Sequence, residues 1–88
     1  SAQEQVALNP NAAHAHSSLG NVFYDLGEAE KAIESFETAM ILLKKEHGEV
    51  AHPEVAAALN SIGNSQTELG HFQLASECYE RALAMFKQ

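Results

Sequence analysis

Apolar residues in this chain recur at spacings of three and four, the period of a helix face and not of a strand. Leu19, Val22, Phe23 and Leu26 fall at i, i+3, i+4 and i+7 and form one apolar face. They predict a helix from Asn11 or Ala12 to Leu26, ended by Gly27. Upstream, the short helix-compatible run Gln3 to Leu8 is broken by Asn9-Pro10-Asn11, and an Asn at this point can cap the helix that follows. A second helix is expected from Glu28 or Ala29 to Glu46 or His47. Ala32, Ile33, Phe36, Ala39, Met40 and Leu43 make its buried stripe, while Lys31, Glu34, Glu37 and Lys44 face water. Gly48 stops it. The connection Gly48-Glu49-Val50-Ala51-His52-Pro53 is the longest break in the chain, and Pro53 suits the first position of a third helix, where a missing N–H costs nothing. That helix continues through Val55, Ala58, Leu59, Ile62 and Leu69 to Gly70. A fourth, from His71 or Phe72 to Phe86, is expected to bury Phe72, Ala75, Tyr79, Ala82, Leu83 and Phe86. No strand pattern competes, so the fold class is all-α.

The four helices are two copies of one unit. Leu19-Gly20-Asn21-Val22-Phe23-Tyr24-Asp25-Leu26-Gly27 returns 43 residues later as Ile62-Gly63-Asn64-Ser65-Gln66-Thr67-Glu68-Leu69-Gly70. In the same register Ala32 pairs with Ala75, Phe36 with Tyr79 and Ala39 with Ala82. A fixed period of this size is the signature of a repeat array. Gly20, Gly63, Ala32 and Ala75 leave room for paired helices to approach closely, and a large residue at Gly20 or Ala32 should overpack that crossing by roughly 1–3 kcal/mol. Phe36 and Tyr79 are expected to fill the wedge between successive pairs.

These residues resemble a tetratricopeptide repeat, whose pattern runs aromatic-x2-Leu-Gly-x2-Tyr, then Ala-x3-Phe-x2-Ala, then Pro. The first copy reads His16-x2-Leu19-Gly20-x2-Phe23 and Ala32-x3-Phe36-x2-Ala39. The second reads Leu59-x2-Ile62-Gly63-x2-Gln66 and Ala75-x3-Tyr79-x2-Ala82. The resemblance implies two tandem antiparallel helix-turn-helix repeats in a short right-handed α-solenoid. Residues 11–52 would form the first repeat, with an extended second helix and loop, and 53–88 the second. Residues 1–10 would be the tail of a preceding repeat or a linker, since Gln5-Val6-Ala7-Leu8-Asn9-Pro10 looks like a repeat end. Gln66 stands where Phe or Tyr is expected, which predicts a less well packed second pair. Lys44 and Lys87 replace the closing Pro, letting the second helix run on to Gly48. That longer helix, the 43-residue period and His47-Gly48-x4-Pro53-x-Val55-Ala56 are similar to the long-repeat branch of the family, of which kinesin light chains are the best-known members.

Composition narrows the partner. The 88 residues carry 12 acidic and five basic side chains, a net charge of −7. Phosphate binding needs clustered Lys or Arg, so neither nucleic acid nor an anionic membrane is an expected partner. No apolar run approaches the roughly 20 residues of a membrane span. Cys78 is the one cysteine. It permits no internal disulfide and fits a reducing, cytoplasmic location; its bland reading is a small, partly buried apolar residue.

In tetratricopeptide domains the first helix of each pair lines a concave surface that holds an extended or helical peptide. Carried onto this chain, the resemblance implies a groove presenting His14, Ser17, Asn21, Tyr24 and Asp25 from one copy. From the other it presents Ala57, Asn60, Asn64, Thr67 and Glu68. Asn21 and Asn64 are equivalent, and a side-chain amide offers both donor and acceptor to a peptide group; against this stands Asn as a merely tolerated residue on a solvated face. The basic residues of the family's carboxylate clamp are missing: Ser17 and Asn60 stand where they would be wanted. With Asp25 and Glu68 present, a neutral or basic peptide is expected in place of an acidic tail. His14 and His16 are two apart and point in different directions on a helix, so no metal site is expected. No nucleophile, base and oxyanion donors assemble, so neither catalysis nor a cofactor is expected. The alternative reading is structural: a spacer, or a homo-oligomer built on an exposed apolar end face of Phe72, Leu83 and Phe86.

Overall fold

The computed structural model describes residues 12–48 and 52–87. They form four helices: α1 (Ala12–Asp25), α2 (Ala29–His47), α3 (Pro53–Glu68) and α4 (Phe72–Phe86). No strand occurs among the described residues. The proposed repeat tail in residues 1–10, the Asn11 cap and the centre of the α2–α3 connection lie outside the described residues.

Two turns show why the chain doubles back where it does. At the end of α1 the Gly27 N–H donates to the Tyr24 carbonyl (3.0 Å) and the Glu28 N–H to the Phe23 carbonyl (2.8 Å). At the end of α3 the Gly70 N–H donates to Thr67 (3.0 Å) and the His71 N–H to Gln66 (2.8 Å). This paired closure requires a left-handed residue, and Gly27 and Gly70 both take φ of 79°. The turn from α2 to α3 is built differently. His52 caps α3, its Nδ1 accepting the Glu54 N–H at 3.2 Å, and Pro53 opens the helix. The His52 ring stacks on His47 from the end of α2, with centroids 4.2 Å apart and planes 16° from parallel.

α1 packs on α2, α2 on α3 and α3 on α4, while α1 also touches α3. One buried cluster joins Ala13, Leu43, Val55, Ala56, Leu59 and Ala82, so all four helices contribute to it. A second joins Ala32 and Phe36 of α2 to Ile62 of α3. The glycines inside the helices are notches. A Cβ on Gly20 would lie 2.7–2.9 Å from three ring carbons of Phe36, and one on Gly63 would lie 2.6–3.0 Å from three ring carbons of Tyr79. Each aromatic ring therefore sits on the glycine of its own pair, and is not simply a wedge between pairs. Phe36 serves both purposes, since α3 covers its other side and leaves it 2% exposed; Tyr79 has no such cover and is 37% exposed.

The outer apolar stripes depart from the expected burial for the same reason. Leu19 and Val22 of α1 and Leu26 in the turn after it are exposed, and the buried residues of that helix are Ala12, Ala13 and Gly20. On α4 only Ala75 and Ala82 are buried, whereas Phe72, Leu83 and Phe86 are 68%, 54% and 60% exposed. In the other copy the positions equivalent to Leu19 and Val22 are Ile62 and Ser65, both buried because α2 lies against α3. Ser65 tolerates complete burial because its hydroxyl donates to the Ser61 carbonyl at 3.1 Å. Gln66, in place of an aromatic, finds a polar partner at the turn: its Oε1 lies 2.9 Å from Nδ1 of His71.

Candidate functional site

The first helices of the two pairs, α1 and α3, lie side by side and enclose a hollow of about 200 Å³. His14, Ser17 and Asn21 line it from α1, and Glu54, Ala57, Ala58 and Ser61 from α3, with Phe36 contributing from α2. Each set follows helical spacing. Residues 14, 17 and 21 form one flank of α1; residues 54, 57, 58 and 61 form a flank of α3.

This arrangement separates residues that the repeat alignment placed together. Asn60, Asn64, Thr67 and Glu68, like Tyr24 and Asp25, do not line the hollow. Of the expected groove positions, the equivalent pair His14 and Ala57 both line the hollow, whereas Asn60 and Asn64, the counterparts of Ser17 and Asn21, do not. Asn60, Asn64, Thr67 and Glu68 are available on α3, either half-buried or exposed. Tyr24 packs partly against the Ala32–Phe36–Ile62 cluster, while Asp25 is exposed at the end of α1. Glu54 and Ser61 are lining residues that the alignment missed. The signal was present: they stand at i−3 and i+4 from Ala57.

The two equivalent asparagines are not in equivalent states. The Tyr79 hydroxyl donates to Oδ1 of Asn64 at 2.6 Å and lies 3.5 Å from Oγ1 of Thr67. Thr67 also donates to the Gly63 carbonyl of its own helix at 3.0 Å. Asn21 has no such partner among the described residues, because Phe36 stands where the second copy has Tyr79.

A larger hollow of about 580 Å³ opens elsewhere, between α2 and α4 and over α3. No Cα of α2 lies within 8 Å of one in α4, so α3 forms its floor. Met40, Leu59, Ile62, Leu74 and Ala84 supply apolar lining, and Glu37, Glu77, Glu80 and Arg81 the charges. Cys78 is half-buried in this hollow. Burial pushes its thiol pKa up, Arg81 opposes this, and the carboxylates of Glu77 and Glu37 add to it.

Among the described residues, no three of His, Cys, Asp and Glu are placed to hold a metal ion, and no helix is long and apolar enough to cross a membrane. No curated protein and no solved structure matches the chain significantly. The family model described as tetratricopeptide repeat matches residues 11–88. Proteins of this family generally mediate protein–protein interaction and are generally non-catalytic scaffolds. With that match spanning both glycine-notched helix pairs, the chain belongs to the tetratricopeptide repeat family.

Proposed function

We propose that this chain is a protein-binding module that holds a segment of a partner protein against the α1–α3 face, as part of a longer scaffold of the long-repeat type. The observation that carries the reading is the hollow in which His14, Ser17 and Asn21 face Glu54, Ala57 and Ser61. It offers an amide, two hydroxyls and an imidazole beside small side chains, which suits polar contact with a peptide backbone. Glu54, together with Asp25 and Glu68 on the same pair of helices, favours a neutral or basic segment. Asn64 can take part as a donor through its amide nitrogen while Tyr79 occupies its oxygen. The test is to select peptides from a random library on the wild-type chain, then measure their binding to Asn21→Ala/Asn64→Ala by calorimetry. The expected result is neutral or basic peptides whose affinity falls about tenfold or more, the loss of roughly 1.4 kcal/mol or more. Unchanged affinity refutes the assignment of this face.

A second reading rests on a different observation. Phe72, Leu83 and Phe86 form an exposed apolar surface on α4, and Leu19, Val22 and Leu26 form another on α1 and the turn after it. Their counterparts in the α2–α3 contact are packed, so copies of the chain would associate head to tail, α4 of one against α1 of the next. Light scattering over a concentration series tests this. A mass that rises with concentration and is reset to the monomer by Phe86→Glu supports it, and a monomer throughout removes it.

A further inference from the structure

We infer that the hollow between α2 and α4 is a second docking site, for a basic amphipathic segment of a partner protein that inserts apolar side chains between lysines or arginines. The shape argues for side-chain insertion. At about 580 Å³ the hollow is the size of a ligand cleft, and α3 floors it with Leu59 and Ile62 while Met40, Leu74 and Ala84 flank them. Leu74 is 48% exposed, so it stands at the mouth with apolar surface in water. Insertion of a leucine-sized side chain would cover that surface.

The charge argues for a basic occupant. Glu37 enters from α2, and Glu77 and Glu80 from α4, against the single cation Arg81. Among the described residues none of these three carboxylates is in an ion pair: the pairs are Lys31–Glu28 and His47–Glu46, both elsewhere. Flanking cations would therefore meet carboxylates with unused charge. A second copy of this chain is a poor occupant, because each copy carries a net charge of −7. The site is built from α2, α3 and α4, uses none of the groups at the α1–α3 hollow, and stands or falls independently of that reading.

Cys78 lines the hollow and is the one cysteine, so its alkylation reports occupancy directly. The probe is an amidated, helix-forming peptide of about 14 residues, near the length at which an isolated helix becomes marginally stable. It is made of alanine and lysine and bears two leucines four residues apart. Two controls replace the leucines by serine or the lysines by glutamate. The expected result is saturable binding that slows Cys78 alkylation by iodoacetamide. Affinity should fall about tenfold in Glu77→Lys/Glu80→Lys, as for loss of roughly 1.4 kcal/mol, and fall also in Leu74→Ser. All the substituted residues are exposed, and unchanged far-ultraviolet circular dichroism verifies that each variant is folded. Undiminished Cys78 alkylation at saturating peptide overturns the proposal. So does equal binding of the serine control, which would reduce the effect to bulk charge attraction.

Discussion

The glycine notches give a quantitative test because the same substitution can be made twice in one chain. Gly20→Ala and Gly63→Ala each introduce a Cβ within 3.0 Å of the aromatic ring beneath it. Each also gains about 1 kcal/mol of helix propensity, the advantage of Ala over Gly in a helix interior. The difference lies behind the ring. Phe36 is 2% exposed and is held from the other side by the packing of α3, so it cannot retreat. Overpacking costs about 1–3 kcal/mol, and the upper part of that range applies, leaving Gly20→Ala destabilised by about 1–2 kcal/mol net. Tyr79 is 37% exposed and can swing outward, at the expense of its hydrogen bond to Asn64. Gly63→Ala is therefore expected within about 0.5 kcal/mol of wild type, the low end of overpacking cancelling the propensity gain. Urea unfolding followed at 222 nm measures both, and a thermal midpoint difference of about 4–8 °C per kcal/mol should accompany it. A Phe36→Leu background completes a double-mutant cycle, in which the Gly20→Ala penalty should shrink. If Gly63→Ala costs as much as Gly20→Ala, or Gly20→Ala is neutral, confinement of Phe36 by α3 is not what sets the cost.

Three further perturbations follow from individual contacts. His52→Ala removes the side chain that accepts the Glu54 N–H and should cost about 1 kcal/mol in chemical denaturation, as for loss of a helix cap; an unchanged midpoint would show the cap and the stack on His47 to be energetically idle. Tyr79→Phe deletes the 2.6 Å bond to Asn64 and should cost no more than about 1 kcal/mol in thermal unfolding, because the pair is exposed. The Cys78 thiol is raised above its ordinary value, chiefly by burial. Its iodoacetamide pH profile should lie above that of the urea-unfolded chain, lower in Glu77→Gln and higher still in Arg81→Gln. The corresponding stability contribution is present below the unfolded thiol pKa and is lost as pH rises through the folded one. A folded profile that coincides with the unfolded one refutes the burial argument.

Fold and boundaries were legible because they depend on local rules. The 43-residue copy fixed which residues are equivalent. Gly27 and Gly70 marked the left-handed closures, Pro53 marked the start of α3, and α4 begins and ends at expected residues. The candidate site was legible only in part. His14, Ser17 and Asn21 share a hollow with Ala57, the counterpart of His14, but Glu54 and Ser61 line it in place of Asn60 and Asn64, the counterparts of Ser17 and Asn21. A sequence alignment superposes equivalent positions, whereas a hollow between neighbouring helices takes one flank of each, and the two flanks coincide in the alignment only at His14 and Ala57.

The sequence by itself determined the four helices and their pairing, since helical period, capping and side-chain size act within a few turns of chain; that Phe36 and Tyr79 seat on Gly20 and Gly63 came from the structure. Only the tertiary structure decided which apolar residues are covered. Phe36 and Tyr79 occupy the same place in the repeat, yet α3 buries the first and nothing in the described residues buries the second. Burial is a property of the neighbouring helix, and a residue's own repeat cannot encode whether that neighbour is there.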